Sequence, residues 1–174
     1  MRSYSRGRID NFVTEFSIAE QKSWQYYVST VFHMTNLLNR RLSETHQLSL
    51  SDVQLLHLLG TRADDGDIPM GELAATLPSL PSCLTRQVRR LEQRGLVTRT
   101  VSPTDRRRVL VSLTDTGRAV SGEAMITYAN EVRTHFLGPL TRPQITAMAS
   151  ICGRLNDTAQ ARPRSEEFPR HLFP

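Results

Sequence analysis

Eight arginines lie between Ser82 and Arg108: Arg86, Arg89, Arg90, Arg94, Arg99, Arg106, Arg107 and Arg108. Only two acids, Glu92 and Asp105, accompany them. A guanidinium is planar, always charged and offers a fork of donors that matches phosphate and carboxylate oxygens. The chemistry such a set can do is to hold a polyanion, not to make or break bonds. The 174-residue chain carries a formal net charge of +5. The excess positive charge therefore sits in this one stretch, and the remainder is close to neutral. That is the footprint expected of phosphate contact. Lys22 is the only lysine, an arginine-for-lysine bias that a GC-rich genome alone can produce, so the clustering is more informative than the total.

Other chemistries find little support. Cys83 and Cys152 form no CxxC pair. His33, His46, His57, His135 and His171 lack metal-ligand spacing, so no metal or other cofactor is expected. There is no glycine-rich phosphate loop, no nucleophile elbow and no pair of carboxylates on one face, and an enzyme is not expected. Cys83 falls in the first turn of a predicted helix, one turn before Arg86, a setting that suits an oxidation-sensitive thiol as well as a small packing residue. Cys152 reads as core. No apolar run approaches the length of a membrane span. The N-terminal MRSYSRGRIDNF is basic but lacks the apolar core of a signal peptide. A cytoplasmic protein without membrane contact is expected.

The elements that must position the arginines follow from periodicity. After an N-terminal arm, 1–17, a long helix is expected over 18–46. Trp24, Tyr27, Val28, Val31, Met34, Leu37, Leu38 and Leu42 recur there at three- and four-residue spacing. Its length suits a second role against another chain. LSLSDVQLLHLLG, 48–60, reads as a second helix with Ser51 as N-cap, Asp52 in the first turn and Gly60 as the stop. Ile68 suits a short strand, and MGELAATL, 70–77, a short helix. PSLP forms a turn, and Pro81 fits the first position of the next helix. That helix runs to Gly95 with Leu84, Val88 and Leu91 as its buried stripe. Arg86, Arg89, Arg90 and Arg94 lie off the stripe; the bland alternative is a solvated face with Glu92 as local partner. LVTRTVS and VLVSL then flank PTDRR as a hairpin. Thr114 or Asp115 caps a helix to about Leu137, and a last helix covers 142–159. A proline-rich tail, 161–174, follows.

Two short helices joined by a turn and followed by a hairpin describe a winged helix-turn-helix. The fold expected is mainly α with a small β-hairpin wing: a DNA-binding domain over 48–114, with dimerisation helices over 18–46 and 115–160. A helix fits the roughly 12 Å major groove. A narrow arginine tip fits the minor groove, where A-tracts deepen the negative potential.

At this point the chain resembles the MarR family of transcriptional regulators. The resemblance is carried by MGELAATL and LTRQVRRLEQRGLVTRTVSPTDRRRVLVSLTDTGRA. Within them stand the recognition-helix start Leu84–Arg86, the helix end Leu91–Val97, Asp105 with Arg107 in the wing, and Leu113–Gly117 entering the next helix. The resemblance implies that Ser82, Thr85, Arg86, Gln87 and Arg90 meet bases or phosphates, and Arg89, on the same basic face, is a further expected DNA contact. It implies that Arg107 enters the minor groove and that Asp105 braces an arginine and shapes the loop. Arg106 and Arg108 are phosphate contacts or bystanders, since neighbours on a strand alternate faces. It further implies a homodimer on double-stranded DNA, with a small aromatic or phenolic effector between dimer arms and winged domain, near Trp24, Tyr26, Tyr27, Met34 and His57. One departure stands out. Leu80 precedes Pro81, and Cys83 fills a slot that is usually polar or basic, so the operator sequence does not carry over.

The expected function is a homodimeric repressor of a pseudo-palindromic operator, released by such a ligand. The alternatives are an activator or constitutive binder without an effector, redox sensing through Cys83, and a winged helix used for protein contact.

Overall fold

The computed structural model describes residues 16–62, 67–77 and 80–160. The expected arm over 1–17, the centre of the ADDGDIP turn, part of the PSLP turn and the tail over 161–174 lie wholly or largely outside the described residues. The chain divides into two compact units, Met1–Glu131 and Val132–Pro174.

In the first unit, α1 spans Ile18–His46, as the periodicity predicts. Ser17 and Glu20 form a capping box: the Glu20 carboxylate accepts from Ser17 N at 2.7 Å, and Ser17 Oγ accepts from Glu20 N at 3.3 Å. The Ser17 hydroxyl, which donates to the same carboxylate at 2.7 Å, and then the Ser17 N–H hold the Glu20 carboxyl below the usual carboxylate range. Gln47, with φ 56°, ends the helix in the left-handed region. The apolar face divides sharply. Leu38 and Leu42 are buried, but Trp24, Tyr27, Val28 and Val31 are exposed.

The second helix, α2, covers Leu50–Thr61. Its N-cap is Ser49, not the expected Ser51. Ser49 has the extended backbone a cap needs, and Asp52 stands three residues on to complete a second capping box. Ser51 therefore lies inside the first turn. Gly60 does not stop the helix; a Cβ there would sit 3.6 Å from the Leu113 side chain, so the residue packs instead.

The expected strand at Ile68 is present as β1, Ile68–Pro69. Next come α3, Met70–Thr76, and α4, Pro81–Gln93, the latter with proline in its first turn. Gly95, at φ 68°, supplies the left-handed turn out of α4. Strands β2, Val97–Val101, and β3, Val109–Leu113, form the hairpin. Val97 faces Leu113 and Val101 faces Val109 in antiparallel register. β1 adds to the other side of β3, giving the order β1-β3-β2. A two-stranded wing thus becomes a three-stranded sheet. Helix α5, Asp115–Val132, follows.

One core joins these elements. Leu84, Val88 and Leu91 of α4 are completely buried among Leu55, Leu56, Leu73, Leu96 and Val111, and Leu42 of α1 and Ala124 of α5 belong to the same cluster. Burying each such side chain contributes about 1.5–3 kcal/mol. The second unit contains a π-helical turn at Arg133–Leu137 and α6, Arg142–Gln160. Among the described residues no helix is long and apolar enough to cross a membrane, and no group of His, Cys, Asp and Glu is arranged to hold a metal ion.

Candidate nucleic-acid interface

The buried stripe of α4 decides what its other faces show. With Leu84, Val88 and Leu91 turned inward, Ser82, Thr85, Arg86, Arg89 and Arg90 are exposed and Gln87 is half-buried. Thr85 Oγ1 donates back to the Pro81 carbonyl at 3.0 Å. Cys83 is an exposed free thiol in the first turn of the helix.

The arginines of this region are not equivalent. Arg90 donates through Nη2 to both Asp52 oxygens, at 2.6 Å to Oδ2. Arg94 points away from α4 altogether: Nη1 donates to the Gln47 carbonyl at 2.7 Å and Nη2 to the His46 carbonyl at 3.3 Å. It thereby satisfies carbonyls at the end of α1, where the helix dipole favours a cation. The His46 ring bonds Thr127 Oγ1 of α5 at 2.8 Å, so one turn of α1 ties α4 to α5. Arg94→Ala should lower stability by about 1.5 kcal/mol, the low end for hydrogen bonds from a charged group, because both bonds are exposed. The check is the thermal midpoint, with DNA affinity at 25 °C changing by less than about twofold, since an exposed ion far along the helix adds little.

Glu92 makes its ion pair with the sheet, and along its own helix feels only a weaker charge effect from Arg89. Its carboxylate takes Arg99 Nε of β2 at 2.8 Å. The Arg99 hydrogen bond, with weaker charge effects from Arg99 and Arg89, holds Glu92 below the usual carboxylate range. What this pair contributes is present at neutral pH and lost as pH falls through that lowered value. Three of the eight arginines are thus engaged within the protein. Arg86, Arg89, Arg106, Arg107 and Arg108 are exposed and form no ion pair among the described residues.

Residues 102–108 form the wing tip, beyond the paired strands. The rule that strand neighbours alternate faces therefore does not govern Arg106, Arg107 and Arg108. Ser102 N donates to the Arg108 carbonyl, and Arg108 N to the Asp105 carbonyl, both at 2.9 Å. Asp105 Oδ1 accepts from the backbone N–H of Arg107 at 3.0 Å. Its carboxylate shapes the turn through the backbone and not through a guanidinium. Arg107 and Arg108 line a cleft of about 550 Å³ together with Met70, Thr85 and Arg99. Helix α4 and the wing thus border one space, lined by three arginines and by Glu72 of α3.

The expected effector residues are dispersed. Trp24 and Tyr27 stack on each other with ring centroids 5.9 Å apart, on the exposed part of α1 with Tyr26. Met34 is half-buried. His57 opens on a separate hollow bounded by Gly60, Leu113, Arg118, Ser121 and Met125, which includes neither the aromatic pair nor Met34.

Two roles were not legible in the sequence. Asp52 reads as a first-turn acid, yet it is the anchor for Gln87 and Arg90, which lie more than 30 residues further on. Arg94 reads as one more helix cation, yet it caps α1. Only the proximity of α2 to α4, and of α1 to the end of α4, reveals either.

A helix with a buried apolar stripe and an arginine-bearing outer face, set beside a basic hairpin, defines a winged helix-turn-helix DNA-binding protein. Residues 48–109 match the MarR family. Over 105 residues the chain is 30% identical to the HTH-type transcriptional repressor MdtR of Bacillus subtilis (strain 168), covering 60% of this chain and 67% of that one. The fold is similar to that of Sco3205, a MarR family transcriptional regulator from Streptomyces coelicolor solved in complex with DNA. The TM-score is 0.78 at 26% identity, with 88% of this chain and 94% of that one covered. AbsC, another MarR family regulator from Streptomyces coelicolor, gives a TM-score of 0.77 at 22% identity over 84% of this chain and 98% of that one. The chain belongs to the MarR family: it is a DNA-binding transcriptional regulator and not an enzyme.

Proposed function

We propose that the protein is a homodimeric repressor that binds a pseudo-palindromic operator and is released from it by a small aromatic or phenolic ligand. The observation that carries the dimer is the open apolar face of α1. Trp24, Tyr27, Val28 and Val31 are 43–65% exposed in the single chain. A contiguous apolar stripe of this kind marks an interaction surface. A second copy would cover it and set two copies of α4 about one DNA turn apart, ~34 Å.

In this reading Ser82, Thr85, Arg86, Gln87, Arg89 and Arg90 contact bases or phosphates in the major groove. Arg107 enters the adjacent minor groove, with Asp105 fixing the turn, and Arg106 and Arg108 lie along the backbone. A repressing sign is supported by the relative MdtR, which is named a repressor. Ligand control follows if the ligand prefers a spacing of the two α4 helices that does not match the groove, because it then shifts the population away from DNA.

Sedimentation equilibrium at micromolar concentration should give twice the 19.7 kDa chain mass. A chain that stays monomeric both free and on DNA would overturn the dimer. A thermal-shift screen of aromatic acids should find compounds that raise the melting temperature and weaken DNA binding together. If none does both, the protein is a binder without an effector.

A further inference from the structure

Asp52 is fully buried, with 0% of its side chain exposed. Its carboxylate closes the cap of α2 by accepting from Ser49 N at 2.9 Å. The same two oxygens reach across to α4, where Gln87 Nε2 donates to Oδ1 at 3.1 Å and Arg90 Nη2 donates to both. A buried carboxylate left unpaired is strongly unfavourable, so both α4 side chains are held firmly.

Two consequences follow from the chemistry of the groups. An ionised carboxylate only accepts, so the Gln87 amide must turn its nitrogen toward Asp52. The amide oxygen is then turned away from Asp52, with the second N–H of the same nitrogen as the remaining donor. In the major groove an acceptor pairs with the amino group of cytosine or adenine, not with guanine O6 or N7. In addition, Arg90 is neutralised locally, which reduces its action as a free cation toward phosphate although half of its side chain is exposed.

We infer that Asp52, which itself is out of reach of DNA, is a specificity-determining positioning residue: it fixes the hydrogen-bonding polarity of Gln87 and the placement of Arg90 on the recognition helix. The inference rests on α4 being the base-reading helix.

The test uses the full chain and two DNA probes: a duplex that the wild type has selected from a random-sequence pool, and a scrambled duplex of the same composition. In Asp52→Asn the new amide can present either atom, so Gln87 loses its enforced polarity. Affinity for the selected duplex should fall by about tenfold or more, the scale of one mismatched base contact. Affinity for the scrambled duplex should hold within about threefold, and its salt dependence should steepen because Arg90 is freed. Equal losses on both duplexes would reduce Asp52 to a folding residue and overturn the inference. Should Asp52→Asn fail to melt cooperatively, Arg90→Lys decides. Lysine keeps the charge but cannot hold a fixed fork against the carboxylate, so the ratio of selected to scrambled affinity should drop several-fold; an unchanged ratio overturns the inference. A wild type that selects no sequence would remove the base-reading role of α4 as well, whereas an unchanged ratio in the variants removes the inference alone.

Discussion

Arg107→Ala lowers affinity for the selected duplex by about 10- to 100-fold, the cost of about 1–3 kcal/mol for a specific groove contact, whereas Arg106→Ala lowers it by about twofold, as a peripheral phosphate contact does. The wing geometry sets this difference. Asp105 accepts from the Arg107 backbone and fixes the turn, and Arg107 lines the cleft shared with Thr85 of α4, while Arg106 is absent from it. A turn backbone fixed in this way starts the Arg107 side chain beside α4, so less backbone freedom is lost on binding. The Arg107 variant should also lose preference for A·T-rich flanks, because the minor groove narrows there and attracts arginine. Paired fluorescence-anisotropy titrations at fixed salt give both numbers. Equal losses at the two positions would make the tip a generic basic surface.

Gly117→Ala should destabilise the winged domain by about 3 kcal/mol, the upper range of overpacking, and lower the thermal midpoint by roughly 10 °C. A Cβ at this position would stand 1.9 Å from the Leu96 carbonyl oxygen and 3.0 Å from Leu113 Cδ1. The nearest atom is backbone, so relief requires α5 to move. Local bonds resist that movement. Thr114 N donates to the Leu96 carbonyl at 3.2 Å, Thr114 Oγ1 donates to the Gly95 carbonyl at 2.7 Å, and Gly117 N donates to Thr114 Oγ1 at 2.9 Å. Calorimetry on Gly117→Ala beside Gly122→Ala is the comparison. Gly122 has nothing within 4 Å of an added Cβ, so the second variant should melt at or above the wild type, as a helical glycine replaced by alanine does. Similar midpoints for both would mean that the contact with Leu96 yields easily.

These bonds also explain which parts of the fold were legible in the sequence. LTDTG could be read as a helix start because each member acts within a few residues: Leu113 packs, Thr114 caps and Gly117 lets the helix approach the α4–β2 turn. The stripe Leu84, Val88, Leu91 was legible for the same reason, since helical period alone places all three on one face. Ser49 was missed as the cap of α2 because Ser49 and Ser51 are both sound caps by composition; the acid three residues after Ser49 favours the former. The arginines were legible as a cluster but not as individuals. Their separation into engaged and free members depends on Asp52, on Glu92 meeting Arg99 and on the carbonyls of α1. The effector site was the least legible. Helical spacing gathers Trp24 and Tyr27, but it cannot say which surface lies opposite them, and His57 turns out to face a different hollow.

We propose that α4 and the wing read DNA by sequence and not by charge alone. The most direct measurement compares wild-type affinity for the selected and the scrambled duplex across a salt series. Specific binding should exceed scrambled binding by about 10³-fold or more at physiological salt, and both should weaken steeply as salt rises through counterion release. Equal affinities with equal salt slopes would contradict the claim and leave only a basic surface on a winged fold.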